Sequence, residues 1–189
     1  MPGFVRELGG AFRSYVTIAW WGLAAPRLTE REPLVVLQGV VCDERGVLLA
    51  VRDDLRGWEL PGGTLEAGER HREALRRELG EETGLDVEVL EHVGDYRRTG
   101  FRPHTAKIYR CRPVGGRLRP GAETRALRWF DPAALPDTLF PWYRGPLTDA
   151  LGGCDNPVER DEHQGLRDVL AGLRIDLRMR WSDDRAGLG

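Results

Sequence analysis

Apolar and polar positions repeat along the middle of the chain with two different periods, and those periods outline its elements. Leu34 to Asp43 is a nearly continuous apolar run, which predicts one buried strand or two short ones. Asp43-Glu44-Arg45-Gly46 predicts a turn into a second strand, Val47 to Arg52. Asp53 to Gly57 reads as a loop and Trp58-Glu59-Leu60 as a short strand. From about Glu69 to Glu82 there is no Pro and only Gly80, so a helix of roughly four turns is expected. Leu85 to Val93 then alternates Leu85, Val87 and Val89 with Asp86 and Glu88, as a half-buried strand should. Arg97 to Pro103 reads as a loop, Thr105 to Arg112 as a strand, Gly115-Gly116 as a turn and Arg125 to Phe130 as the last strand. Short helical turns are expected at Pro132 to Leu135 and Leu147 to Leu151. The succession predicts an α/β fold, a mixed β-sheet sandwiched by helices, over residues 33–151.

Two extensions flank this region. Phe4, Leu8, Phe12, Tyr15, Ala19 and Leu23 recur at three- and four-residue steps, which predicts an N-terminal amphipathic helix over residues 1–28. Packing of that helix on the domain, or on the partner in a homodimer, is the favoured reading. Contact with a membrane surface through Trp20 and Trp21 is a second reading, weakened by a thin cationic face, and a signal peptide a third. The uncharged run is too short to span a bilayer. A charged linker follows, Arg27 to Pro33. The tail, residues 155–189, is charged, with a helix expected around Val158 to Leu173 and a fraying end, a C-terminal helical extension.

Composition narrows the partners. A net charge of -2 over 189 residues gives no polyanion-binding signal, so nucleic acid is not expected as a partner. The cysteines Cys42, Cys111 and Cys154 are an odd number without C-x-x-C spacing, which predicts buried thiols in a reducing, cytoplasmic setting. His71, His92, His104 and His163 show no metal-ligand spacing, and no G-x-S-x-G supports a serine nucleophile.

The chemistry concentrates between Gly63 and Leu85, GTLEAGERHREALRRELGEETGL. Glu78, Glu81 and Glu82 are three and four residues apart, so on a helix they share an arc of roughly 100° beside Ala74, Leu75 and Leu79. Like charges so placed destabilise a helix unless cations neutralise them, and hard divalent ions with oxygen ligands are the natural neutraliser. A Glu/Arg-rich helix is ordinarily just a solvated face. Here nine positions, Gly63, Glu69, Arg77, Glu78, Leu79, Glu81, Glu82, Gly84 and Leu85, fill the spacing G-x5-E-x7-R-E-U-x-E-E-x-G-U, where U is aliphatic, and Trp58 with Pro61-Gly62 completes a W-x-L-P-G-G approach.

That pattern resembles the Nudix box, and the chain is similar to Nudix hydrolases over about Pro33 to Leu151. The resemblance implies the Nudix fold and a Mg2+ (or Mn2+)-dependent hydrolase that cleaves the pyrophosphate bond of a nucleoside diphosphate linked to another moiety. It implies metal ligation by Glu78, Glu81, Glu82 and the Gly62 carbonyl, with Arg77 and Glu69 holding the loop and helix in shape. Glu123, in a late loop, is a candidate base or extra ligand. Arg52, Arg97, Arg98 and Arg102 are candidate phosphate contacts. ADP-ribose or a nucleotide sugar is the expected small-molecule substrate, with an oxidised nucleoside triphosphate behind it. The alternative is a catalytically silent Nudix-fold nucleotide-binding regulatory module; such modules lose box carboxylates, and none is lost here.

Overall fold

The computed structural model describes residues 34–100, 103–153 and 156–186, with side chains of the last helix described as far as Ser182. The expected N-terminal helix over residues 1–28, the linker, Arg102 and Cys154 lie outside the described residues. Among the described residues no helix is long and apolar enough to cross a membrane.

The strands are β1 (Val35–Asp43), β2 (Gly46–Arg52), β3 (Trp58–Glu59), β4 (Gly62–Thr64), β5 (Leu85–Gly100), β6 (His104–Gly116), β7 (Thr124–Phe130) and β8 (Val158–Gln164). The helices are α1 (His71–Thr83), α2 (Arg144–Gly152) and α3 (Leu166–Ala186), with single 3-10 turns at Pro132–Ala134 and Pro141–Tyr143. The sheet runs β3-β2-β1-β6-β5-β8, with β4 added to β1 and β7 to β2. It is mixed, because β1 pairs with β6 and β5 with β8 in parallel while the other pairings are antiparallel.

Strand alternation sends side chains to two cores. On one face, Ala74, Leu75 and Leu79 of α1 pack on Leu37, Val41, Val87, Tyr109 and Cys111. On the other, Val40, Tyr96 and Ile108 meet Phe140, Tyr143 and Leu147, with Ile175 of α3 packed against them.

Four expectations need correction. Arg97 to Gly100 is strand, not loop, because the outer edge of β5 pairs with β8 from Gly94↔Val158 to Gly100↔Gln164. Gly115-Gly116 is not the turn: these residues stay in β6, opposite Asp86 and Leu85. Residues 144–152 form a full nine-residue helix. The tail helix begins at Leu166, and the stretch before it, VERDEHQ, is a further strand after β7. Its charges hide the strand period because they meet charged partners: Arg97 pairs with Glu159 at 2.8 Å and Arg98 with Glu162 at 3.0 Å.

One polar cluster fastens β8 and α2 to the sheet. Tyr96 is fully buried and its hydroxyl donates to Asp149 Oδ2 at 2.6 Å, while Arg160 forks onto both Asp149 oxygens at 2.8 and 2.6 Å. The hydrogen bonds from Arg160, and then that from Tyr96, outweigh burial and hold the Asp149 carboxyl below the ordinary carboxylate range. A depressed pKa means that the unfolded chain binds the extra proton, so this contribution is present above about pH 4 and fades as pH falls through the folded-state value. Asp149→Asn is expected to lower unfolding free energy by about 2 kcal/mol at pH 7, the scale of hydrogen bonds to a charged group. Urea titrations of both proteins from pH 7 down to pH 3 check this: the gap should narrow with acidification, and a pH-independent gap would remove the charge from the account.

Candidate active site

Helix α1 presents two adjacent rows to the sheet. The row Leu75, Leu79 and Thr83 is buried, and the row one step round, Ala74, Glu78 and Glu82, runs along its border. Glu78 and Glu82 are therefore carried against β4, while Glu81 falls in the next row with Arg77 and its side chain is 62% exposed. The three carboxylates share an arc, as their spacing predicts, but only two are drawn inward.

The glycine pair at β4 makes the approach possible. Gly62 has φ 147 and its N–H donates to Glu82 Oε2 at 2.8 Å. A Cβ on Gly63 would stand 2.3 Å from the Glu78 carboxylate carbon. The loop before the helix is locked by Arg77, whose Nε and Nη2 reach the two oxygens of Glu69 at 2.9 Å each. The same guanidinium lies 3.1 Å from Glu78 and 3.4 Å from Glu81. A planar fork of this kind fixes direction as well as charge.

The C-terminal end of α1 is closed by the loop after β6. Arg117, Arg119 and Gly121 donate their N–H groups to the carbonyls of Gly84, Thr83 and Glu82 at 3.0, 2.9 and 3.0 Å. This docking brings Glu123 to the site, where its exposed side chain stands 3.6 Å from Arg52 and its charge acts on Glu82.

Arg52 is the phosphate candidate that the fold brings to these carboxylates. It pairs with Asp54 at 3.0 Å and lies 3.9 Å from Glu59. Burial alone would lower its pKa, and the hydrogen bond it donates to Asp54, with the charges of Glu59 and Glu82, raises it instead. Of the others, Arg102 lies outside the described residues, and Arg97 and Arg98 are elsewhere. Arg97 forms surface pairs with Glu159 and Asp161. Arg98 is buried and bound to Glu162, to the Trp142 carbonyl at 2.7 Å and, at 3.5 Å, to His104.

Sequence reasoning passed over Glu59 and the residues around it. Tyr143 donates to Glu59 Oε2 at 3.2 Å and accepts from Gln38 Nε2 at 3.0 Å. The only sequence signal for Glu59 is its place as the variable residue of W-x-L-P-G-G; Gln38 and Tyr143 come from distant strands and turns and carry none.

The site is crowded with desolvated acid. Burial, opposed by Arg52 and reinforced by Glu82, pushes Glu59 up to about 8. Burial, opposed by the Gly62 N–H and Arg52 and reinforced by Glu78 and Glu123, pushes Glu82 up to about 7. Glu78 is raised chiefly by burial. Among the described residues no three acidic, His or Cys groups already close round one point, and Arg77 and Arg52 supply the positive charge. The donor set is nevertheless all hard oxygen, held at a partly open edge, and this suits a Mg2+- or Mn2+-like ion.

A family model for the NUDIX domain matches residues 34–151. The chain belongs to the Nudix family. A MutT-like protein of Streptomyces ambofaciens is 39% identical over 153 residues, covering 79% of this chain and 97% of the relative. A putative 8-oxo-dGTP diphosphatase of Bacillus subtilis is 31% identical over 127 residues, covering 67% and 85%. The crystal structure of an ADP-ribose pyrophosphatase from Streptococcus suis shares the fold with a TM-score of 0.57 at 24% identity, covering 69% of this chain and 100% of that one. The Nudix box of this chain is thus the α1–β4 edge described above.

The Gly63 cradle gives a direct test. Gly63→Ala is expected to preserve the far-ultraviolet circular dichroism spectrum while lowering hydrolytic turnover at least about tenfold, because a methyl there must displace the Glu78 carboxylate. Turnover equal to wild type would show that Glu78 does not need this position.

Proposed function

We propose that this Nudix pyrophosphohydrolase cleaves the pyrophosphate bond of a small nucleotide with the help of a divalent ion, Mg2+ or Mn2+. The observation that supports it most is the pair Glu78 and Glu82, brought inward together at the Gly62-Gly63 turn and braced by the Arg77–Glu69 fork. When bound, the ion supplies charge neutralisation for the diphosphate and a more acidic bound water. In this reading Glu78 and Glu82 hold it, with Glu81 and the Gly62 carbonyl as further ligands. Arg77 and Glu69 keep those groups in place. Arg52 contacts substrate phosphate. Glu123, exposed on its loop, takes a proton from the attacking water or adds a ligand.

For the substrate, an oxidised purine nucleoside triphosphate takes precedence over ADP-ribose or a nucleotide sugar, because the relative sharing 31% identity over two thirds of this chain is named for 8-oxo-dGTP. A silent nucleotide-binding module is disfavoured by the intact set of box carboxylates.

Glu82→Gln separates the readings, since it keeps size while removing charge. Loss of several kcal/mol of transition-state stabilisation corresponds to a fall in kcat on the order of 10^3. Glu73→Gln, on an exposed side chain of the same helix, is expected to cost less than about tenfold. Release of pyrophosphate or mononucleotide from 8-oxo-dGTP, dGTP and ADP-ribose, with Mg2+ and with chelator, is the measurement. Equal losses in the two variants, or activity surviving chelation, would overturn the assignment.

A further inference from the structure

We propose that Asp176 of the C-terminal helix is a positioning residue for the substrate-facing Arg52, so that the catalytic unit extends beyond the matched residues 34–151. The inference rests on the reading of Arg52 as a substrate contact.

Asp176 has no exposed surface, although most side chains of the helix around it are partly or fully exposed. Its carboxylate accepts the N–H of Arg56, in the loop between β2 and β3, at 2.6 Å. It also accepts Arg180 Nε at 3.0 and 2.9 Å. Arg180 continues to the same loop, donating from Nη2 to the Asp54 carbonyl at 3.1 Å. Asp54 in turn fixes Arg52, with Nε to Oδ1 at 3.0 Å and Nη2 to Oδ2 at 3.3 Å. One buried charge pair on α3 thus holds two backbone groups of the loop whose Asp54 aims the guanidinium.

A second limb acts on the other end of that loop. Trp142 stacks on Phe140 with ring centroids 4.7 Å apart, and Phe140 lies so close to Gly57 that a Cβ there would be 2.4 Å from the ring. A Cβ on Gly172 would be 3.1 Å from Trp142, so α3 approaches this stack closely too. A helix serving only to cover apolar surface would need the second limb but not Asp176. An ionised side chain taken fully out of water is costly unless its partners are well placed, and here the partners are the loop's own backbone and the arginine that reaches it.

The test uses the full chain and four variants: Asp176→Asn, Arg180→Lys, Arg52→Ala and the double variant Asp176→Asn with Arg52→Ala. Asp176→Asn keeps shape while weakening the ion pair. Arg180→Lys retains charge and cannot reach both Asp176 and the Asp54 carbonyl as a fork. Each is expected to raise KM for the substrate that the wild type cleaves by about five- to tenfold, with kcat within about twofold, because binding and not chemistry is loosened. In the Arg52→Ala background the Asp176→Asn change should alter KM by less than about twofold, since residues acting through one contact are not additive. Amide hydrogen exchange of residues 53–57 should speed up in both α3 variants. Unchanged KM, or an equal KM penalty with and without Arg52, overturns the proposal. Unchanged exchange in the loop overturns the clamp itself. A wild type that cleaves no nucleotide refutes the proposed function instead, and the exchange measurement then still decides the clamp.

Discussion

Repulsion among desolvated carboxylates is the constraint around which the molecule is built. Glu59, Glu78 and Glu82 are all raised above the ordinary carboxylate range, with burial the leading cause for each. An acid cluster of this kind is opposed by solvation, so the surrounding structure must force it. Two apolar layers supply the force, because α1 cannot bury Leu75, Leu79 and Thr83 without carrying the adjoining row of Glu78 and Glu82 to the sheet edge. The Gly62 N–H, Arg77 and Arg52 moderate the repulsion without abolishing it. The residual unfavourable charge is the physical basis for expecting a cation there, and sites that store such cost are the ones where function resides.

The helix and its box were legible in the sequence because their geometry is local. Spacings of three and four residues fix neighbours on a helix whatever the rest of the chain does. The side of that helix that meets the sheet was legible too, since Ala74, Leu75 and Leu79 lie beside the arc and are buried; which of Glu78, Glu81 and Glu82 are drawn inward was not, and the buried row settles it in favour of Glu78 and Glu82. Glu59, Tyr143 and Gln38 were invisible for another reason. Their contacts join residues 84 and 105 positions apart, so no local pattern encodes them. Arg98 shows the same limit from the opposite side, since an arginine in a stretch rich in Arg and Gly reads as solvated although its side chain is 1% exposed.

The tail illustrates how a strand escapes a hydrophobicity pattern. β8 sits at the sheet edge, and edges are protected by charge. Its residues pair with charges already on β5 and with Asp149 on α2, so the strand is held by ion pairs while its side chains stay partly or fully exposed, and no apolar period of two marks it. Charge alternation with complementary partners on a neighbouring strand holds such an element where β-propensity would not.

The same logic reaches the end of α1. Its last turn holds Glu81 and Glu82 and no basic residue, although the partial negative charge of a helix C-terminus favours cations. Three backbone amides of the loop after β6 meet the terminal carbonyls instead, and Gly84, with φ 71, turns the chain away. Those amides reduce the negative field exactly where Glu82 must sit, and the loop that supplies them also delivers Glu123. Helix stability and site geometry are therefore coupled through one short segment, 117–123. A change in its length would disturb the carbonyl caps and the position of Glu123 together.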